Sequence, residues 1–259
     1  MKTVEFLKSN NVNVDAALEL FGDMDTYNET MKEFQNGINE KVSMIEKYYN
    51  EGDMPNYAIY VHSLKSDCKY FGFMTLADLA YQHEMASKAN NIDFVRANYN
   101  ALMDEVRVVR NIVNEYMEEG APTEGDTASV APVQSKDIIL VADDSEVIRL
   151  FVKKIFDGTY DIESAKDGEE ALNAIKANEE TGKIKAILLD LNMPKVDGFA
   201  VLDYLKEKDL FGKMPVTIIS GDSSSDAINR AFTYPIIDMI NKPFNEDKIK
   251  DAVLKTIGM

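Results

Sequence analysis

The chain has 259 residues, enough for two ordinary domains that each bury a core. Composition is globular, with 45% hydrophobic and 28% charged residues, and the formal charge of −17 excludes a nucleic-acid-binding surface, which needs Lys and Arg clustered against phosphates. Cys68 stands alone and cannot form an internal disulfide, and no apolar run of about 18 residues offers a membrane span, so a cytoplasmic setting is expected.

In chain order, a small helix is expected over 16–21. The stretch "DTYNETMKEFQNGINEKVSMIEKYYNEG" then carries the period of one long helix ending at Gly52, and Pro55 suits the first turn of the next. That next helix contains "YVHSLKSDCKYFG" and ends at Gly72. Its apolar positions Tyr57, Val61, Leu64, Cys68 and Phe71 recur at helical spacing and face a core. His62 lies one residue off that stripe, which predicts an outward-facing imidazole sharing its flank with Ala58, Ile59, Lys65, Ser66 and Lys69. "TLADLAYQHEMASKAN" opens a further helix with Thr75 and Asp78 as a capping-box variant. His83 on that helix lacks flanking cations and reads as structural, and a last helix runs over 92–117. Short connections between long helices make antiparallel neighbours, hence an all-α four-helix bundle over 1–117. Met31, Met44, Met85 and Met103 read as packing residues within it.

Residues 118–135, "EEGAPTEGDTASVAPVQS", are rich in Gly, Pro, Ser and Thr without apolar periodicity, the pattern of a flexible linker. Over 136–259 the strand-like runs "DIILVAD", "YDIESA", "KAILLDL", "PVTIISG" and "PIIDMIN" alternate with helical patterns near 146–156, 169–177, 199–208, 226–232 and 246–257. Five such units predict an α/β doubly wound domain, a parallel sheet with helices on both faces. Sites in such sheets lie beyond the carboxyl ends of the strands. The residues there are Asp143, Asp144, Asp190, Ser220 and Lys242. Crowded carboxylates oppose ionisation unless a cation compensates them, and oxygen-only ligands favour a hard ion such as Mg²⁺. The set fits metal-assisted phosphoryl transfer, with one aspartate as the nucleophile and Mg²⁺ and Lys242 neutralising charge on the phosphoryl oxygens.

The segments "ILVADDSEVIR", "LLDLNMPKVDG", "TIISGD" and "INKPF", in that order, resemble the motifs of the response-regulator receiver domain, across essentially all of 136–259. The resemblance implies a flavodoxin-like (βα)5 fold with Asp190 as phosphoacceptor. It also implies that Asp143, Asp144 and Asp190 hold Mg²⁺ together with the Asn192 backbone carbonyl, that Ser220 and Lys242 contact the phosphoryl group, and that the peptide between Lys242 and Pro243 is cis. Asn192 and Asp222, two residues beyond Asp190 and Ser220, are by similarity the positions that tune loss of the phosphoryl group to water. Met239 stands three residues before Lys242, where the family often carries Tyr or Phe as a switch coupled to the hydroxyl residue, here Ser220.

The first half resembles a histidine phosphotransfer (HPt) domain through His62, Leu64, Lys65, Ser66 and Gly72, with Ser66 replacing the usual glycine and Asp67 adding an acidic rim. On that resemblance His62 carries a phosphoryl group. An imidazole titrating near about 6.5 is a competent nucleophile at neutral pH. Ala58 and Ser66 leave room for a docked partner, and Lys65, with Lys69 farther along, can stabilise the phosphoryl group.

The two resemblances together imply a two-component phosphorelay protein that exchanges a phosphoryl group between His62 and Asp190, within the chain or with partners. Such partners are a sensor histidine kinase or other receiver and HPt proteins, with the oligomeric state open. No ATP-binding kinase pattern accompanies the motifs, so the chain carries and accepts phosphoryl groups supplied by another protein. Two other readings compete. In one, the receiver controls an interaction module whose bundle is never phosphorylated. In the other, the strand-end aspartates serve a phosphatase-type enzyme, although no substrate cap is evident.

Overall fold

The computed structural model describes residues 2–117, 137–221 and 224–258, so the expected linker over 118–135 and Asp222 lie outside the described residues. The first half is helical throughout, comprising α1 (Val4–Ser9), α2 (Val14–Phe21), α3 (Met24–Glu51), α4 (Met54–Phe71), α5 (Met74–Lys88) and α6 (Ile92–Met117). The four long helices follow the sequence pattern. Helix α1 was not expected, because its six residues bury only Leu7 and carry no repeat to read.

Local chemistry sets these boundaries. Asp23 and Asp53 accept hydrogen bonds from the Thr26 and Asn56 amides, at 2.7 and 3.1 Å, and so cap α3 and α4, while Gly52 and Gly72 end them in the left-handed region. Gly72 has a second constraint. A Cβ there would lie 2.4 Å from the Asn13 carbonyl oxygen, and the Asn13 amide donates to the Gly72 carbonyl at 2.9 Å, tying the start of α2 to the end of α4. The Thr75–Asp78 capping box is not formed. Gly72 leaves a single residue, Phe73, before α5, so Thr75 already lies inside its first turn.

The stripe Tyr57, Val61, Leu64, Cys68 and Phe71 is fully buried, as its spacing predicts, and Met31 joins the same core. Met85 does not, being half exposed on α5.

The second half contains β1 (Ile138–Ala142), α7 (Glu146–Ile155), β2 (Asp161–Ala165), α8 (Gly168–Asn178), β3 (Ile184–Leu189), α9 (Gly198–Glu207), β4 (Val216–Ser220), α10 (Ser225–Ala231), β5 (Asp238–Asn241) and α11 (Glu246–Ile257). The strands form one parallel sheet in the order β2-β1-β3-β4-β5. Alternate residues serve opposite faces. Ile139, Val141, Ala186, Leu188 and Ile219 pack with α7 and α11, whereas Leu140, Ala142, Ile187, Leu189 and Ile218 pack with α8, α9 and α10. Central strands covered on both sides therefore read as unbroken apolar runs.

The two halves share one hydrophobic cluster. Helix α7 covers the sheet and also packs against α3. Phe151 of α7 meets Phe21 of α2 edge to face at 5.6 Å between centroids, and Phe244, just before α11, meets Tyr70 of α4 in the same manner at 6.1 Å. At the rim, Lys154 pairs with Glu29 at 2.7 Å. These contacts bring α4 over the carboxyl end of the sheet.

Candidate functional site

Two strands deliver the acidic pocket. Asp143 and Asp144 follow β1 and Asp190 follows β3; one carboxylate oxygen from each lies within 4.8 Å of the other two. Asp143 and Asp190 are completely buried, and their Oδ1 atoms accept from the Ser145 and Asn192 amides at 2.9 and 3.1 Å. Lys242, after β5, places Nζ 2.7 Å from Asp143 Oδ2 and also donates to Asp190 Oδ2. Its own amide donates to the Ser220 carbonyl at 2.8 Å, and the following peptide to Pro243 is cis. Ser220, at the end of β4, is fully buried beside this group.

Burial pushes the Asp143 carboxyl up to about 6, against the opposing pull of Lys242 and with added repulsion from Asp190. Burial likewise raises Asp144. For Lys242, burial works against the ammonium, but Asp143, Asp190 and Asp144 outweigh it and hold the lysine protonated far above its ordinary range. Three converging carboxylates with oxygen ligands only are a fit donor set for a hard dication of the Mg²⁺ type. Met239 is half buried and packs with the cluster beneath α8, α9 and α10.

His62 does not face solvent. It is 1% exposed, a correction to the outward-facing imidazole expected from helix spacing. The reason is that α5 and the second half cover the flank that the isolated helix would leave open. Glu84 of α5 approaches His62 Nδ1 at 2.7 Å with Oε1 and accepts from Lys65 Nζ at 2.6 Å with Oε2. Lys88 Nζ lies 2.8 Å from the same carboxylate. A carboxylate only accepts, so the Glu84 contact engages Nδ1 as a donor, Lys65 Nζ lies 3.1 Å from the same nitrogen, and Nε2 is the ring atom turned toward the receiver. Burial tends to raise the Glu84 carboxyl, but His62, Lys65 and Lys88 outweigh it and hold it well below the usual carboxylate range. Lys65 is lowered, mainly by burial, with Glu84 opposing.

His62 meets the receiver at residues that adjoin the strand ends. Among the described residues Nε2 of His62 has no hydrogen-bond partner, and a Cβ built on Gly221 would lie 3.2 Å from both His62 Nε2 and Cε1. Gly221 directly follows Ser220. His62 also lines a cleft of about 260 Å³ with Asn192, two residues past Asp190, and the buried Asn192 Nδ2 likewise finds no partner among the described residues. Lys65, Ser66 and Tyr70 of α4 line a second seam with Gly221, Lys242 and Pro243. Asp67, expected as part of an acidic rim, is instead buried in the contact, accepting from Ser145 Oγ at 2.5 Å and pairing with Lys41 of α3.

Glu84, Lys41 and Gly221 were not anticipated. A signal for Glu84 existed, because it sits within the buried run of α5 formed by Leu76, Ala77, Ala80, His83 and Ser87, and a carboxylate buried there requires partners. His83, read as structural, is fully buried with Nδ1 at 2.7 Å from the Tyr57 hydroxyl.

A doubly wound parallel sheet with an aspartate triad and a lysine at its carboxyl edge defines a flavodoxin-like class of α/β domain. Residues 139–254 match the response regulator receiver domain family, and the C-terminal half of this chain is a receiver domain of two-component signalling. It is similar to the probable methanogenesis regulatory protein FilR2 of Methanothrix harundinacea, 29% identical over 133 residues, covering 49% of this chain and 86% of that protein. Similarity to the chemotaxis protein CheY1 of Helicobacter pylori is 26% over 122 residues, covering 46% of this chain and 96% of that protein. Among solved structures, the CheX-CheY-BeF3-Mg+2 complex from Borrelia burgdorferi matches at 27% identity and a TM-score of 0.42, covering 47% of this chain and 90% of that one. No described helix is long and apolar enough to cross a membrane.

Proposed function

We propose that this chain is a cytoplasmic phosphorelay protein in which an HPt-like bundle and the receiver exchange a phosphoryl group between His62 and Asp190 of one molecule. The observation that carries this reading is the seating of the His62 Nε2 edge against Gly221, in a cleft shared with Asn192. Glu84 holds the ring at Nδ1, which leaves Nε2 as the nitrogen placed to act as nucleophile in its unprotonated form. In transfer from an Asp190 acyl phosphate, the N–P bond forms at Nε2, the P–O bond to Asp190 breaks, and the carboxylate is restored. The ring then carries a positive charge, which the Glu84 carboxylate offsets. Return transfer uses the same groups in reverse.

Lys242 neutralises phosphoryl oxygens and Lys65 braces Glu84. Mg²⁺ held by Asp143, Asp144 and Asp190, with the Asn192 carbonyl, supplies further charge neutralisation when bound. The phosphoryl donor is a sensor histidine kinase or another relay protein.

The test is labelling of the full chain with a phosphorylated small-molecule donor and Mg²⁺. Wild type should carry both acid-labile phosphohistidine and base-labile acyl phosphate; His62→Gln should keep only the latter and Asp190→Asn should lose both. Label retained equally by both variants rejects the assignment. The low exposure of His62 favours a second reading, in which the bundle only docks. Acyl phosphate without any phosphohistidine in the wild type would select it.

A further inference from the structure

We propose that Lys41, on α3 of the bundle, is a counter-ion of the receiver's acidic pocket, and that a divalent cation bound in the pocket competes with it and loosens the docking of the two halves. The inference rests on reading Asp143, Asp144 and Asp190 as a divalent-cation site.

The geometry divides the pocket's charge between two lysines. Lys242 contacts Asp143 and Asp190 from within the receiver. Lys41 reaches the pocket from the other half of the chain, lining one cleft of about 220 Å³ with Ser63, Asp67 and Asp144. Its side chain is 12% exposed and ion-paired with Asp67. Asp67 is in turn fastened to the receiver by the Ser145 hydroxyl, which also caps α7 by accepting from the Ile148 amide at 3.3 Å. Ser145 immediately follows Asp143 and Asp144, so the fastening and the proposed metal ligands share one turn of backbone.

Electrostatics agree with this placement. Burial opposes the Lys41 ammonium, yet Asp67 and Asp144 outweigh it and hold the lysine above its ordinary range. In a dry interface, opposing charges within a few ångströms are strongly felt, and so are like charges. A dication placed on Asp144 therefore faces the Lys41 ammonium across the cleft that both residues line, and the docked arrangement holds two like charges together. Binding and docking must then oppose each other reciprocally, since each shifts the same equilibrium.

The test uses the full chain and Mg²⁺ alone. Calorimetric titration should show Lys41→Met binding Mg²⁺ roughly tenfold more tightly than wild type, while Lys41→Arg, which keeps the charge, stays close to wild type. A second arm needs no variant. Modification of His62 by diethyl pyrocarbonate, read by mass spectrometry, should be slow in the metal-free protein and accelerate at saturating Mg²⁺, with the core His83 unchanged. Equal Mg²⁺ affinity in wild type and Lys41→Met, or protection of His62 that Mg²⁺ leaves unaltered, overturns the proposal while sparing the metal site. Absence of Mg²⁺ binding in every variant overturns the metal site itself and the proposal with it.

Discussion

His62 occupies the space that a side chain at residue 221 would claim. The 3.2 Å separation from a Cβ built on Gly221 is shorter than ordinary van der Waals contact, so Gly221→Ala forces the ring to retreat by a few tenths of an ångström or the halves to part. Displacement of this size at reacting atoms is costly. Gly221→Ala should slow exchange between Asp190 and His62 by roughly 10- to 100-fold in rapid-quench labelling. The rate at which a small phosphodonor labels Asp190 should not fall, because the alanine methyl opposes His62. Unchanged exchange would show that the contact has no role in transfer.

Glu84 acts on the same ring from its other nitrogen. Glu84→Gln removes the charge that offsets a phosphorylated imidazolium, and phosphohistidine formation should drop roughly 100-fold. The same substitution tests linkage to pH. The folded-state pKa of Glu84 is depressed, so its stabilisation is complete above the ordinary value of 4.5 and is lost as pH falls below that value towards the folded pKa. Thermal melts of wild type should therefore weaken more steeply with acid below about pH 4.5 than those of Glu84→Gln.

At this scale the sequence disclosed the candidate reacting groups and concealed their surroundings. Asp143, Asp144, Asp190, Ser220 and Lys242 were legible because strand ends converge in any parallel sheet of this type. Glu84, Lys41 and Gly221 acquire their roles through contacts between elements remote in the chain, which helix and strand periods do not encode.

Helix α7 shows why the burial of His62 was missed. In "EVIRLFVKKI" the residues Val147, Ile148, Phe151 and Val152 are all buried, a wider apolar surface than one sheet face requires. A single period leaves such width ambiguous, and only the bundle explains it: Phe151 packs on Phe21 and, at 6.5 Å, on Phe244, which itself meets Tyr70. The long helices and the central strands β1, β3 and β4 were readable because each carries an apolar stripe or is buried nearly throughout. The interface adds one aromatic patch to elements whose types were already settled, so it altered no helix or strand assignment. Phe151→Ala should cost about 3 to 5 kcal/mol in chemical denaturation, the usual range for emptying a buried aromatic site. Because α7 contributes to a cluster spanning both halves, the loss should be seen by probes in each half. A shift confined to probes in the receiver would show that the halves unfold independently.

For the molecule as a whole, docking changes the kinetic order of the proposed relay. His62 is 1% exposed and Asp190 is fully buried, so in the docked state neither is open to a second protein chain. Exchange between them inside one chain is then unimolecular, with the connection between the halves keeping their effective concentration in the millimolar range. Transfer between chains requires two docked contacts to open before a new one forms. The wild-type exchange rate should accordingly be constant when protein is diluted from roughly 100 to 1 μM, well below that effective concentration. His62→Gln labelled on Asp190 and then mixed with Asp190→Asn, which retains His62, provides the intermolecular case. Its transfer should rise with concentration and, at roughly 1 μM, lag the wild type by at least about 100-fold. Mixed variants that match the wild-type rate would mean that the docked contact opens faster than it transfers, and that the burial of both acceptors gives the chain no preference for its own phosphoryl group.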